Sequence, residues 1–399
     1  MGPAVLLEEA ALKKELKSLK VAGLHRAPET IHGFRGSQIR IGSDWLINFS
    51  SNNYLGLAQH PWVIQETAVA IKKWGTGSGA SRILSGNLQI HRQLEDRIAS
   101  FKNEEAALIF SSGYLANLGA VTALLNETDL VLADRYNHAS LIDAARLSKA
   151  KFRVYPHRDI TALEKLLAAA PASGGKGTRR KLVTTDAYFS MDGTVAPLNK
   201  ILEVCRRHGA SLLVDEAHST GVFGRTGRGL TEHFGVSGKI DVVMGTLSKA
   251  LGSVGGFIAG KAILKETLIN RSKEFIYTTA PSPAASAAAL ASLEFIEKNP
   301  NLRKKLWINI DRARRGLSEA GFDLMDSEGP ILPILIGDTK KAVAMKAFLA
   351  KEGIFAPAIR PPTVPKGTDR IRLSVTAQHS ESDIERLLNA LKKARAKLL

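Results

Sequence analysis

Seven short strand-like runs of this chain, most of them continuous rather than alternating in hydrophobicity, are separated by stretches of helical period; no other feature restricts the possible folds as much. The runs are Ala106 to Phe110, Asp129 to Leu132, Phe152 to Tyr155, Lys181 to Thr185, Ser211 to Val214, Val242 to Gly245 and Gly256 to Ala259. A strand with one wet face alternates apolar and polar residues, whereas a continuous run is covered on both faces, as in a parallel sheet between helical layers. Helical connections fit at Tyr114 to Leu125, Ala139 to Ser148 and Thr161 to Ala169. The pattern predicts an α/β domain built on a large, mostly parallel sheet.

After Pro283 the pattern changes to long helical segments, Ala284 to Lys298 and Asn301 to Ala320. Strand candidates Ile331 to Ile336 and Arg370 to Val375 then flank a helix, Lys340 to Glu352, before an amphipathic helix from Ser380. This predicts a small α+β domain over 284–399, a large domain over 56–283, and an N-terminal segment over 1–55 whose strand, Trp45 to Phe49, packs with the small domain. Ala170 to Arg179, rich in Ala, Gly, Ser and Lys, reads as a surface loop.

Two of the apolar runs lead into unusual chemistry. In SLLVDEAHSTG (Ser211 to Gly221) the run ends in Asp215, with His218 close behind. A carboxylate at the end of a buried strand is costly unless a cation meets it, and a protonated pyridine nitrogen would do so. In DVVMGTLSKALGSVGGF (Asp241 to Phe257) another run leads through Thr246 to Lys249, a candidate Schiff-base former. Ser111-Ser112-Gly113 is a tight turn opening a helix, so its amides and the helix dipole suit a phosphate. His138, just after a strand, reads alone as a solvated helix start; beside the other groups it suits the face of a pyridine ring, with Ser190 and His218 at the ring's phenolic oxygen. Together these residues predict a pyridoxal 5'-phosphate site at one edge of one sheet.

Composition narrows the partners. The formal net charge of +17 favours anionic ligands such as coenzyme A or an acidic carrier protein, with a merely solvated basic surface as the alternative. Nucleic acid is not expected: the basic run Arg179-Arg180-Lys181 has no recognition motif beside it, and Asp-Glu-Ala-His occurs without a GxxxxGK[ST] loop. No run approaches the roughly 20 apolar residues that span a bilayer. Met1 to Leu16 reads as an amphipathic helix rather than a signal peptide, and Leu6 breaks a myristoylation pattern at Gly2. The expected location is the cytoplasm, with no membrane partner and no metal. The single cysteine, Cys205, reads as a small core residue.

The segments SSNNYLGL (Ser51 to Leu57), GTGSGASRILSGN (Gly75 to Asn87), FSSGYLAN (Phe110 to Asn117), NHASLIDA (Asn137 to Ala144), FSMDGTVAPL (Phe189 to Leu198), VDEAHSTGVFG (Val214 to Gly224) and TLSKALG (Thr246 to Gly252) resemble the α-oxoamine synthases over nearly the whole chain. That resemblance implies a fold-type I pyridoxal-phosphate transferase, aspartate-aminotransferase-like, that condenses an amino acid with an acyl thioester and releases carbon dioxide. It implies Lys249, His138 and Asp215 as catalytic residues. It implies Gly113, Tyr114, Ser190, His218 and Thr246 as further cofactor contacts. Arg372 matches the family's substrate-carboxylate arginine, with Asn52 as its helper.

Arg26, in GLHRAP, and Thr363 match substrate contacts of the family; a surface arginine and a structural turn are the alternative readings. A homodimer with shared active sites is also implied, with Thr278-Thr279 reaching the neighbour's phosphate. The segment AIRPPTVPKGTDRIRLSVTAQHS (Ala358 to Ser380) most resembles the biotin-pathway member, which joins L-alanine to a pimeloyl thioester of coenzyme A or acyl carrier protein. A glycine- or serine-using relative and a non-catalytic cofactor-binding protein of the same fold are the alternatives.

Overall fold

The computed structural model describes residues 8–170 and 180–398. The expected loop from Ala170 to Arg179 lies outside them but for its first residue, as does the start of the Met1 to Leu16 helix; the described helix is Glu9–Val21 and buries none of its residues. Two compact units are formed: Asn52–Leu306, and Met1–Ser51 with Trp307–Leu399.

The large unit holds a seven-stranded sheet in the spatial order Ala106–Phe110, Gly256–Gly260, Val242–Thr246, Ser211–Asp215, Lys181–Asp186, Leu130–Asp134, Lys151–Tyr155. Only Gly256–Gly260 runs against its neighbours; the other pairings between adjacent strands are parallel. The central strands are buried along their length except at Ser211, as their apolar runs require. Four strands extend past the apolar residues that announce them, ending at Asp134, Asp186, Asp215 and Thr246, each buried. Hydrophobicity stops at the polar residue, but the backbone ladder does not, and the register sets Asp186 directly opposite Asp215.

Helix Gly113–Leu124 covers this sheet, burying Ala116, Ala120, Val121 and Ala123 in the main core. Its start approaches the antiparallel strand so closely that a Cβ on Gly256 would stand 2.5 Å from Gly113 Cα, which only glycine permits. Helix Pro283–Lys298 packs on Pro61–Trp74 and Gln89–Lys102 through an apolar cluster with Ala70, Ile90 and Ala287. The unit boundary therefore falls after Leu306 rather than at Pro283, and at Ser51 rather than at residue 55. A change of pattern in the sequence marks a change of element, not which core the element joins.

In the smaller unit, Ile31–Arg35, Gln38–Ile41 and Asp44–Asn48 form an antiparallel sheet, extended in parallel by Ile354–Phe355. A second sheet pairs Arg370–Ser374 with Ile331–Leu335 and Ala358–Ile359. Helices Thr339–Lys351 and Glu381–Leu398 pack beside each other. Among the described residues no helix is long and apolar enough to cross a membrane.

Candidate active site

A cavity of about 230 Å³ opens where the large sheet's strands end. Gly113, Tyr114, His138, Ser190, Asp215, His218, Thr246 and Lys249 all line it, joined by Ser112, Asn117, Ser140, Asp186, Ala217, Met244 and Ser248. One rim is the first turn of helix Gly113–Leu124. There Ser112 Oγ caps the Leu115 amide at 3.1 Å, and the first helical amides have no partner within the helix. A Cβ on Gly113 would come within 2.9 Å of Met244 Cε, so glycine is what leaves this turn room. Opposite, the Thr246 hydroxyl donates to Gly255 O at 2.9 Å and lies 2.7 Å from Ser248 Oγ. The Tyr114 hydroxyl donates to Asp143, which pushes its pKa up.

The floor is acidic. Asp215 accepts from Ala217 N at 2.8 Å and from Asn117 Nδ2 at 2.8 Å. Asp186 accepts the His138 backbone N–H at 2.7 Å; burial, reinforced by the Asp215 charge, raises its pKa well above the ordinary carboxyl value. Burial and a like charge nearby both disfavour the ionised form of a carboxyl group. His138 is shifted downward, first by burial and then by the Lys249 charge, against the opposing pull of Asp215 and Asp143. Its side chain caps helix Ala139–Leu147. His218 Nδ1 meets the Tyr54 hydroxyl at 2.8 Å, and that hydroxyl also lies 3.3 Å from Asn52 Oδ1.

The remaining expected residues lie in the smaller unit. There Arg26 Nη2 donates to Thr363 Oγ1 at 3.4 Å, and Arg360 ties down the same turn by donating to the carbonyls of Gly23 and His25. Arg372 is buried, with Nη1 2.9 Å from Ser374 Oγ. Asn117, Ser140, Asp186 and Tyr54 were not expected from the sequence. Asn117 follows Gly113 by one helical turn, so helical spacing from the phosphate cradle could have found it. Tyr54 has no local signal, because only the tertiary fold brings it to His218.

The cavity fits pyridoxal phosphate on its own chemistry: an amine at Lys249, amides at a helix start, and Asp215, which forms no ion pair among the described residues. Asn117, which lines the cavity, has its Oδ1 buried without a hydrogen-bond partner.

Comparison with known proteins agrees with this geometry. Residues 45–391 match the family "Aminotransferase class I and II". An 8-amino-7-oxononanoate synthase of Geobacter sulfurreducens is 46% identical over 379 residues, covering 94% of this chain and 96% of the relative. The solved serine palmitoyltransferase of Sphingomonas wittichii superposes with a TM-score of 0.92 at 33% identity, over 98% of this chain and 99% of that one. An 8-amino-7-oxononanoate synthase structure from Francisella tularensis gives 0.76 at 29% identity, over 88% and 98%. With a family model spanning most of its length and relatives matched nearly end to end, the chain belongs to the class I and II aminotransferase family, as a fold-type I member of its α-oxoamine synthase branch.

Proposed function

We propose that this pyridoxal-phosphate-dependent enzyme condenses L-alanine with a pimeloyl thioester, releasing carbon dioxide and the free thiol and giving 8-amino-7-oxononanoate for biotin synthesis. The observation that carries the reading is the 46% identity over nearly full length to a relative of that name, in a chain whose cavity collects Lys249, Asp215 and His138. When bound, pyridoxal phosphate supplies an electron sink for the negative charge that develops on the α-carbon of the amino acid.

The chain's own residues supply the rest. Asp215 would keep a proton on the pyridine nitrogen of the bound cofactor, and His138 would lie against the ring face. Ser190 and His218 would hydrogen-bond the ring oxygen, while Gly113, Tyr114 and Thr246 would hold the phosphate. Lys249 Nζ removes the α-proton of alanine. Arg372, helped by Asn52, grips the alanine carboxylate until it leaves as carbon dioxide; Arg26 contacts substrate, and Thr363 contacts the acyl substrate. A bond forms between the alanine α-carbon and the thioester carbonyl carbon as the carbon–sulfur bond breaks and the thiol leaves protonated; after carbon dioxide is lost, the electron pair left on the α-carbon takes up a proton.

The thioester is borne by coenzyme A or a carrier protein, and the basic surface favours either; the location is the cytoplasm. We further read the working form as a homodimer with shared active sites. Supporting this, Leu84 and Tyr277 are 77% and 80% exposed, and their segments are joined by a bridge between Ser81 and Thr279. The dimer would cover them and bring Thr278-Thr279 to the neighbour's phosphate.

The deciding experiment is thiol release, with alanine, glycine and serine crossed against short, pimeloyl and long acyl thioesters. Alanine with the pimeloyl thioester should give the highest kcat/KM, and Lys249→Ala should abolish release. Preference for glycine with a short acyl group would overturn the assignment, and no release with any pair would leave a cofactor-binding protein.

A further inference from the structure

The proton positions around His138 follow from valence. Asn117 Nδ2 lies 2.8 Å from Asp215 Oδ2 and 2.9 Å from Ser140 Oγ. An ionised carboxylate only accepts, so the Asn117 atom facing Asp215 must be the amide nitrogen, and both of its hydrogens are committed. Ser140 Oγ is therefore an acceptor towards Asn117, and its own proton is left for another partner. That partner is His138 Nδ1 at 2.8 Å, which also receives the Ser140 backbone N–H at 3.3 Å. A ring nitrogen that accepts from two donors carries no proton, so the imidazole proton sits on Nε2. Nε2 itself makes no hydrogen bond among the described residues.

We propose that Asn117 and Ser140 are positioning residues that join Asp215 to His138 and hold His138 as the neutral Nε2–H tautomer, its one N–H free for a carbonyl or carboxylate oxygen of the substrate. The proposal rests on the reaction assigned above, but the tautomer belongs to the protein alone. The arrangement leaves Asn117 Oδ1 buried and unpaired, so both amide hydrogens are kept on Asp215 and Ser140 at the expense of the acceptor. The groups around His138 divide. Burial, Lys249 and the start of its own helix favour the neutral ring; Asp215 and Asp143 favour the cation; Asp186 engages only its backbone N–H. The Tyr114 ring stands edge-on to it at 6.4 Å. Two donors on Nδ1 tip this balance towards the neutral form.

The test is a two-bond proton–nitrogen correlation spectrum of the full-length protein labelled with nitrogen-15 in its histidines, taken with and without pyridoxal phosphate. His138 is assigned by the signal lost in His138→Gln. The wild type and Ser140→Thr should show the Nε2–H pattern, whereas Ser140→Ala and Asn117→Ala should show a mixture of tautomers. With one donor to the neutral ring removed, the acidic limb of kcat/KM in Ser140→Ala should move up by about 0.7 pH unit. An Nδ1–H pattern in the wild type overturns the proposal even if the alanine variants do not fold. So does a Ser140→Ala protein whose spectrum and acidic limb match the wild type. Failure of the wild type to release thiol with an intact Nε2–H pattern would instead count against the assigned reaction.

Discussion

Asp215 and Glu216 are adjacent in the chain and both buried, yet the protein treats them in opposite ways. Glu216 turns from the cavity and receives an internal cation: Lys102 Nζ sits 2.7 Å from its Oε2, with neither side chain more than 1% exposed. Thr231 N at 2.8 Å and Ser219 Oγ at 3.2 Å occupy its other oxygen, and Lys102 also donates to Thr220 Oγ1 at 2.8 Å. Among the described residues, Asp215 receives the neutral donors Asn117 and Ala217 and no cation. A buried carboxylate with its own cation is a structural element, for its charge is already balanced. One that is supported only by neutral dipoles keeps its charge for a visitor, and a pyridinium is such a visitor. The loop after the strand is pinned from behind by Glu216 so that Asp215 and His218 keep their places in front.

The contrast is broken most severely at Lys102. Lys102→Met leaves Glu216 buried and unpaired and should cost about 3–5 kcal/mol of stability, read by denaturant unfolding. The Lys102→Met/Glu216→Leu double variant should regain much of that loss, and a double variant no more stable than the single one would show that the pair is not the determinant. Asp215→Asn should do the reverse. It removes a charge the resting protein does not pair internally, so stability should hold within about 1 kcal/mol. Turnover should fall at least about 100-fold, together with exchange of the alanine α-proton into deuterium oxide. Full-rate exchange in that variant would contradict the role of Asp215.

The smallest expected effect lies at Glu104, near the Lys102–Glu216 pair. Burial pushes its pKa up to about 7, its carboxylate accepting the Gly238 amide at 3.3 Å. An acid whose folded-state pKa lies above its unfolded value is destabilising once ionised, so its contribution worsens as pH rises from about 4.5 to about 7. Glu104→Gln should therefore gain Tm relative to the wild type at pH 8 but not at pH 4. An unchanged difference between the two pH values would sink the assignment.

Much of the fold is legible in the sequence, because a strand covered on both faces must be apolar along its length and needs no partner to announce it. The strands of the large sheet and the helix Gly113–Leu124 could be located in this way, within about two residues. The residues where the reading stopped short, Asp134, Asp186, Asp215 and Thr246, close their strands as buried polar ends, three of them beside the cavity. The cavity likewise collects the eight cofactor-site residues expected from motifs and resemblance. Ser140 was hidden although it lies within the quoted motif NHASLIDA, because its importance is to Asn117 and His138 rather than to its neighbours in the chain. Cys205 behaves as its composition suggested, buried, with its thiol pushed up to about 12.

By itself the sequence determined a parallel α/β core, a glycine-opened helix for a phosphate and a lysine and an aspartate suited to pyridoxal phosphate, since periodicity and residue chemistry are local properties. Only the tertiary structure decided that Asp186 faces Asp215, that Glu216 is neutralised from behind while Asp215 is not, and that His138 takes its proton pattern from Asn117 through Ser140. Those pairings join residues up to more than a hundred positions apart, and sheet order and burial, rather than any local pattern, choose which polar groups meet.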